Sequence, residues 1–235
     1  MLYVQRDKRT RFLIMGFIGM SLFAIGDVLL QSFSSAGTDI LLMLNASIRD
    51  MPMWRLYFTL LSGVVAAPLM YLGLCAMDSF LQDRLQEKKG KMYRCFQVGA
   101  VMGTLSFFAA HSVCAVLEMN IKLALESGVV PETVDTVYRV PFLLSFAATN
   151  IWVTITEVCL SVVFMFYVLK KIIPLPKPAV ILNTVGFYII FTLAGSLMTG
   201  MTGNSIFSLI AKSGASLGMG VMFLAISHVC YKDAK

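Results

Sequence analysis

Apolar residues in this chain come in long runs and do not alternate with polar ones. Six runs stand out, at 12–33, 57–80, 95–119, 142–169, 179–199 and 209–231. At ~1.5 Å rise per residue, about 20 apolar residues cross a hydrocarbon core of ~30 Å. Each run is therefore predicted to be a membrane-spanning helix. The pattern predicts an all-α integral membrane bundle of six transmembrane helices, a single domain over residues 1–235.

The breaks between runs are short and polar. Residues 34–40 (SSAGTDI) form a connection, and 41–55 are too short and too broken to span. That segment is expected to lie at the membrane surface with Trp54 at headgroup level. Pro68, in the middle of the second run, is expected to kink its helix, with Ser62-Gly63 and Ala66-Ala67 offering a close-packing face. Residues 120–141 are predicted to be a longer polar connection that Pro131 divides into a short helix and a turn. The proline-punctuated IIPLPKP at 172–178 cannot stay helical.

Composition agrees with this class. The chain is 58% hydrophobic and 14% charged, with a mean hydropathy of +0.80, against about 25% charged residues in soluble domains. Its net charge of +6 and pI near 9.1 are read as topology signals and not as a nucleic-acid footprint. With six spans, fourteen of the nineteen Lys and Arg residues fall on the side of the termini and five on the other. The excess of positive charge inside therefore predicts both termini in the cytoplasm. A signal peptide cleaved after Ser34-x-Ala36 is the competing reading of the first run, but an h-region of about 7–15 residues is shorter than this run.

The five cysteines lie within or at the ends of apolar runs, with no CxxC pair, which argues against a disulfide framework or a zinc knuckle. Glycine pairs at Gly99/Gly103 and Gly214/Gly218 read as helix-packing faces through which an oligomer would form. AIGDV in the first run and AISHV in the sixth are a thin echo of an inverted repeat.

Chemistry is sought where polar groups interrupt apolar runs. Asp27 costs about 2.5–3.5 kcal/mol at mid-membrane on the insertion scale, so it must face protein or water. Counting from the starts of their helices places Asp27 and His111 at one level, ~22–24 Å up at ~1.5 Å per residue. Thr104, His111 and Glu118 are seven apart and share a face, with Cys114 beside them. Asn150, Thr154, Glu157 and Ser161 form one stripe on the fourth helix, and Thr184, Tyr188, Thr192 and Ser196 another on the fifth. The functional reading is an outward-opening polar cavity lined by Asp27, His111, Asn150 and Glu157, with Glu118, Arg55 and Arg139 near its mouth. The structural alternative is interhelical hydrogen bonding, which suits the Thr and Ser residues. Two buried carboxylates are costly to keep for packing alone, which favours function for Asp27 and Glu157. No metal site or cofactor is expected: His228 lies near the other end of its helix, and no phosphate loop, GxSxG, HExxH or dinucleotide fingerprint is present.

Gly26-Asp27 followed by Leu29-Leu30, then Trp54-Arg55, Ser62-Gly63 and Pro68-Leu69, resembles a family of uncharacterised bacterial polytopic membrane proteins known only as a domain of unknown function. The likeness covers roughly the first eighty residues. It implies a bacterial cytoplasmic-membrane protein, implies no reaction, and draws attention to Asp27, Trp54 and Arg55. The expected function is binding of a small molecule or lipid from the bilayer, as in a proton-coupled carrier. The alternatives are an intramembrane acid–base enzyme acting on a lipid or isoprenoid, with Asp27, His111 and Glu157 sharing proton transfer, and a structural or regulatory subunit of a membrane complex.

Overall fold

The structure is a computed structural model that describes residues 1–30, 48–86, 89–204, 207, 210, 211 and 213–233. Its regular elements are helical: α1 (Arg6–Leu30), α2 (Met53–Leu85), α3 (Lys91–Glu126), α4 (Pro131–Leu169), a 3-10 turn (Lys177–Ile181), α5 (Thr184–Thr202) and α6 (Gly214–Asp233). All six α-helices are long and apolar enough to cross a membrane. Residues 34 to 47, including the cleavage site considered above and most of the surface segment, lie outside the described residues. From Met53 that segment belongs to α2, where Trp54 is exposed.

The helices differ from the apolar runs mainly at their ends. Residues 120–141 do not form a connection with its own short helix. Helix α3 continues to Glu126, and α4 begins at Pro131 and runs through Pro141. At 36 and 39 residues both exceed the ~20 needed to span the hydrocarbon core. The turn between them is tight for a local reason. Gly128 takes a left-handed φ of 86°, while Gly128 N–H donates to Leu125 O (3.2 Å) and Val129 N–H to Ala124 O (3.1 Å). These two bonds satisfy the last carbonyls of α3, and Pro131, with its fixed φ, opens α4.

The helices pack in chain order around a ring. Helix α1 lies against α2 on one side and α6 on the other; α2 packs on α3, α3 on α4, and α5 on α6, while α4 and α5 meet only briefly. Backbones approach closely where glycines face each other: a Cβ on Gly16 of α1 would lie 2.8 Å from Gly73 Cα of α2. The two glycine pairs expected to serve an oligomer are used within the chain. Gly99 and Gly103 abut Cys159 and Thr156 of α4, and Gly214 and Gly218 abut Phe191, Phe187 and Asn183 of α5 or its cap. Cys95 and Cys159 are also paired across α3 and α4, a pairing their spacing does not suggest.

Between the helices lies a core that includes the fully buried Phe23, Phe80, Phe96, Phe164 and Phe223. Both termini sit at one end of the bundle, held by polar contacts. Asp83 of α2 accepts hydrogen bonds from Tyr3 Oη (3.0 Å), Arg6 Nε (2.9 Å) and the buried Arg9 (Nη2, 3.0 Å), and Arg84 pairs with Asp233. One turn deeper, the buried Asp78 accepts from Tyr93 Oη (2.7 Å) and Gln82 Nε2 (2.8 Å).

Candidate functional site

Asp27 lies near the end of α1, three residues before Leu30, where α1 is flanked by α3 and α6. His111 Nε2 stands 3.3 Å from one of its carboxylate oxygens, and Ser216 Oγ donates to the other at 2.7 Å. The imidazole is buried and packs on Phe23, with ring centroids 4.6 Å apart; its Nδ1 has no hydrogen-bond partner. Three helices that are far apart in sequence thus converge on one carboxyl group.

This group opens on a cavity of about 540 Å³, within the range of about 300–1,000 Å³ usual for ligand pockets. Helix α3 contributes Phe107, Ala110, His111, Cys114 and Glu118, and α4 contributes Phe146, Asn150, Val153, Thr154, Glu157 and Val158. Val185 and Tyr188 come from α5, and Ala215 and Ser216 from α6. The lining is mostly apolar with a few polar groups, the usual make-up of a small-molecule site.

Burial shows where the cavity opens. His111, Cys114 and Glu118 on the α3 wall are buried, whereas Phe146, Asn150, Thr154 and Val158 on α4 and Tyr188 on α5 are exposed. The opening therefore lies between α4 and α5, the pair with the least mutual packing. Their contact is pinned where the backbone N–H of Val185 donates to the buried Ser161 Oγ at 3.2 Å.

Five of the residues picked out from the sequence, Asp27, His111, Asn150, Glu157 and Glu118, line this one cavity. Asn150 donates to the Phe146 carbonyl of its own helix (2.7 Å), and among the described residues none gives Glu157 a hydrogen bond. Arg55 and Trp54 are not in the wall. Arg55 donates to the Leu29 carbonyl at 2.6 Å and acts on Glu118 through space. Arg139 pairs with Asp135 on α4. The fifth-helix stripe divides: Thr184 is buried and Tyr188 lines the cavity, while Thr192 and Ser196 are exposed.

Sequence reasoning missed Ser216, because a serine between two packing glycines carries no signal of its own. The Asp78 network was also missed. The i, i+4 pairs Asp78/Gln82 and Tyr93/Gln97 are the signal that could have found it, since Gln97 Nε2 donates to Tyr93 Oη at 2.9 Å. Among the described residues no group of three or more His, Cys, Asp or Glu side chains is arranged to hold a metal ion.

Six apolar helices, five of which line a cavity with carboxyl groups in its wall, define a multi-pass membrane protein. The chain belongs to a family of unknown function, DUF6796, whose family model matches residues 5–233. The match extends far past the first eighty residues on which the resemblance was noticed. No curated protein matches the chain, and no solved structure does.

Proposed function

We propose that the protein binds a small amphiphile or lipid in the cavity between α3, α4, α5 and α6, and carries it in exchange for protons in the plasma membrane, with both termini in the cytoplasm. The observation that carries this reading is Asp27 itself. It is a carboxyl group held from two sides by His111 and Ser216, and it lines a cavity that also holds Glu157 and Glu118. An ionisable group kept inside a membrane span and lining a cavity suits a proton relay. The opening between α4 and α5, within the apolar length of both helices, suits a ligand that arrives through the bilayer.

The enzyme alternative draws less support. It would have Asp27, His111 and Glu157 share proton transfer to a lipid or isoprenoid, and Asp27 already has both oxygens engaged, by His111 and by Ser216.

The test uses proteoliposomes loaded with a pH-sensitive dye and a panel of amphiphilic amines, fatty acids and uncharged lipophiles. At least one compound should drive proton movement with the native protein. That movement should vanish with Asp27→Asn and with Ala110→Trp, which fills the cavity. Proton movement with no compound, together with a new lipid product on incubation with membranes, would overturn the carrier reading in favour of the enzyme.

A further inference from the structure

Three carboxyl groups, Asp27, Glu118 and Glu157, line the cavity, and among the described residues no lysine or arginine does. Asp27 has partners on both oxygens. The other two do not. Among the described residues none gives Glu157 a hydrogen bond. Glu118 is only 2% exposed, and its Oε2 is buried without a hydrogen-bond partner. The Arg55 guanidinium acts on Glu118 through space, but it lies outside the wall and gives a hydrogen bond to the Leu29 carbonyl. The rings of Phe146 and Tyr188 belong to the same wall, and both are exposed.

From this arrangement, and resting on the binding function proposed above, we infer that the ligand is an organic cation with an apolar body, an amine or onium compound. Its charge lies between Glu157 and Glu118 and its body against Phe146 and Tyr188. An anion would find no lysine or arginine in the wall among the described residues. An uncharged apolar ligand would leave Glu118 Oε2 buried and unmatched. A cation satisfies both sets of groups at once, by charge at the carboxylates and by cation–π attraction at the rings. An apolar body also explains why a site holding three carboxyl groups opens toward the bilayer between α4 and α5.

The test compares two ions of nearly the same shape and opposite charge on the full-length protein in phosphatidylcholine nanodiscs, with empty nanodiscs as background. Tetraphenylphosphonium should bind saturably, and tetraphenylborate, measured in separate samples because the two ions pair with each other, should not. In the double variant Glu118→Gln, Glu157→Gln, checked for monodispersity, phosphonium affinity should fall by at least about tenfold, as expected when a desolvated charge loses its partners. Saturable binding of the borate as tight as that of the phosphonium would overturn the inference, and so would unchanged phosphonium affinity in a folded double variant. The comparison of the two ions on the native protein decides the question even if the double variant does not fold. A third probe separates the inference from the reading beneath it. Saturable binding of uncharged triphenylphosphine oxide that Ala110→Trp abolishes, with no binding of the phosphonium, would remove the cation and keep the cavity. No saturable binding of any of the three probes would overturn both.

Discussion

The imidazole of His111 occupies the space beside the backbone of Gly26, where a Cβ would lie 2.9 Å from Nδ1. The glycine next to Asp27 thus lets α3 bring the histidine up to the carboxyl group. Gly26→Ala should push the ring away and weaken its contact with Asp27. We expect a loss of about 1–3 kcal/mol, the usual cost of overpacking a tight contact, read as a lowered unfolding temperature in detergent. Transport should be lost with it. An alanine variant as stable and active as the native protein would show that the ring has room to move.

Asp27→Asn separates ionisation from shape. The amide oxygen still accepts a hydrogen bond from Ser216, so the variant should purify as a folded, monodisperse protein. It cannot ionise, so proton-coupled activity should disappear, and His111→Gln should follow it. Full activity in both variants at normal expression would reduce the cluster to helix packing.

At the end that carries the termini, two ion pairs predict unequal costs. Arg9 is 4% exposed and relies on Asp83 and the Val4 carbonyl. Asp83→Asn should cost about 3 kcal/mol, the lower end for breaking a buried pair. The exposed pair of Arg84 with Asp233 is a surface contact, and Asp233→Asn should cost under about 1 kcal/mol. Thermal unfolding of the two variants side by side checks the ranking.

Topology is tested with reporters. A fusion after Lys235 should be active in a form that works only in the cytoplasm, and an insertion near Pro131 only in a form that works outside. The opposite pattern would invert the orientation and place the cavity in the other half of the membrane.

The helices were legible in the sequence because bilayer thickness sets the minimum length of an apolar run. Their outer ends were not, since residues 120–141 are polar enough to resemble a loop. Helical hydrogen bonds continue there as well as in lipid, and the Gly128 turn supplies a compact reversal. The shared level of Asp27 and His111 follows from counting residues along two straight helices. Which neighbour closes on the second oxygen of Asp27 could not be counted, because Ser216 is one of many serines and depends on the approach of α6. Arg55 was expected near the mouth of the cavity, and it gives a hydrogen bond to the Leu29 carbonyl without entering the wall. Trp54, expected at headgroup level, is exposed in the first turn of α2.

The ring of helices also constrains the order of assembly. The contacts of α1 with α2, of α2 with α3 and of α3 with α4 join neighbours in sequence and are available as each helix emerges from synthesis. The contact between α1 and α6 joins helices near opposite ends of this sequence. Ser216, 189 residues beyond Asp27, reaches the carboxyl group only once α6 has been inserted. Until then Asp27 has His111 beside one oxygen and waits for the donor of the other.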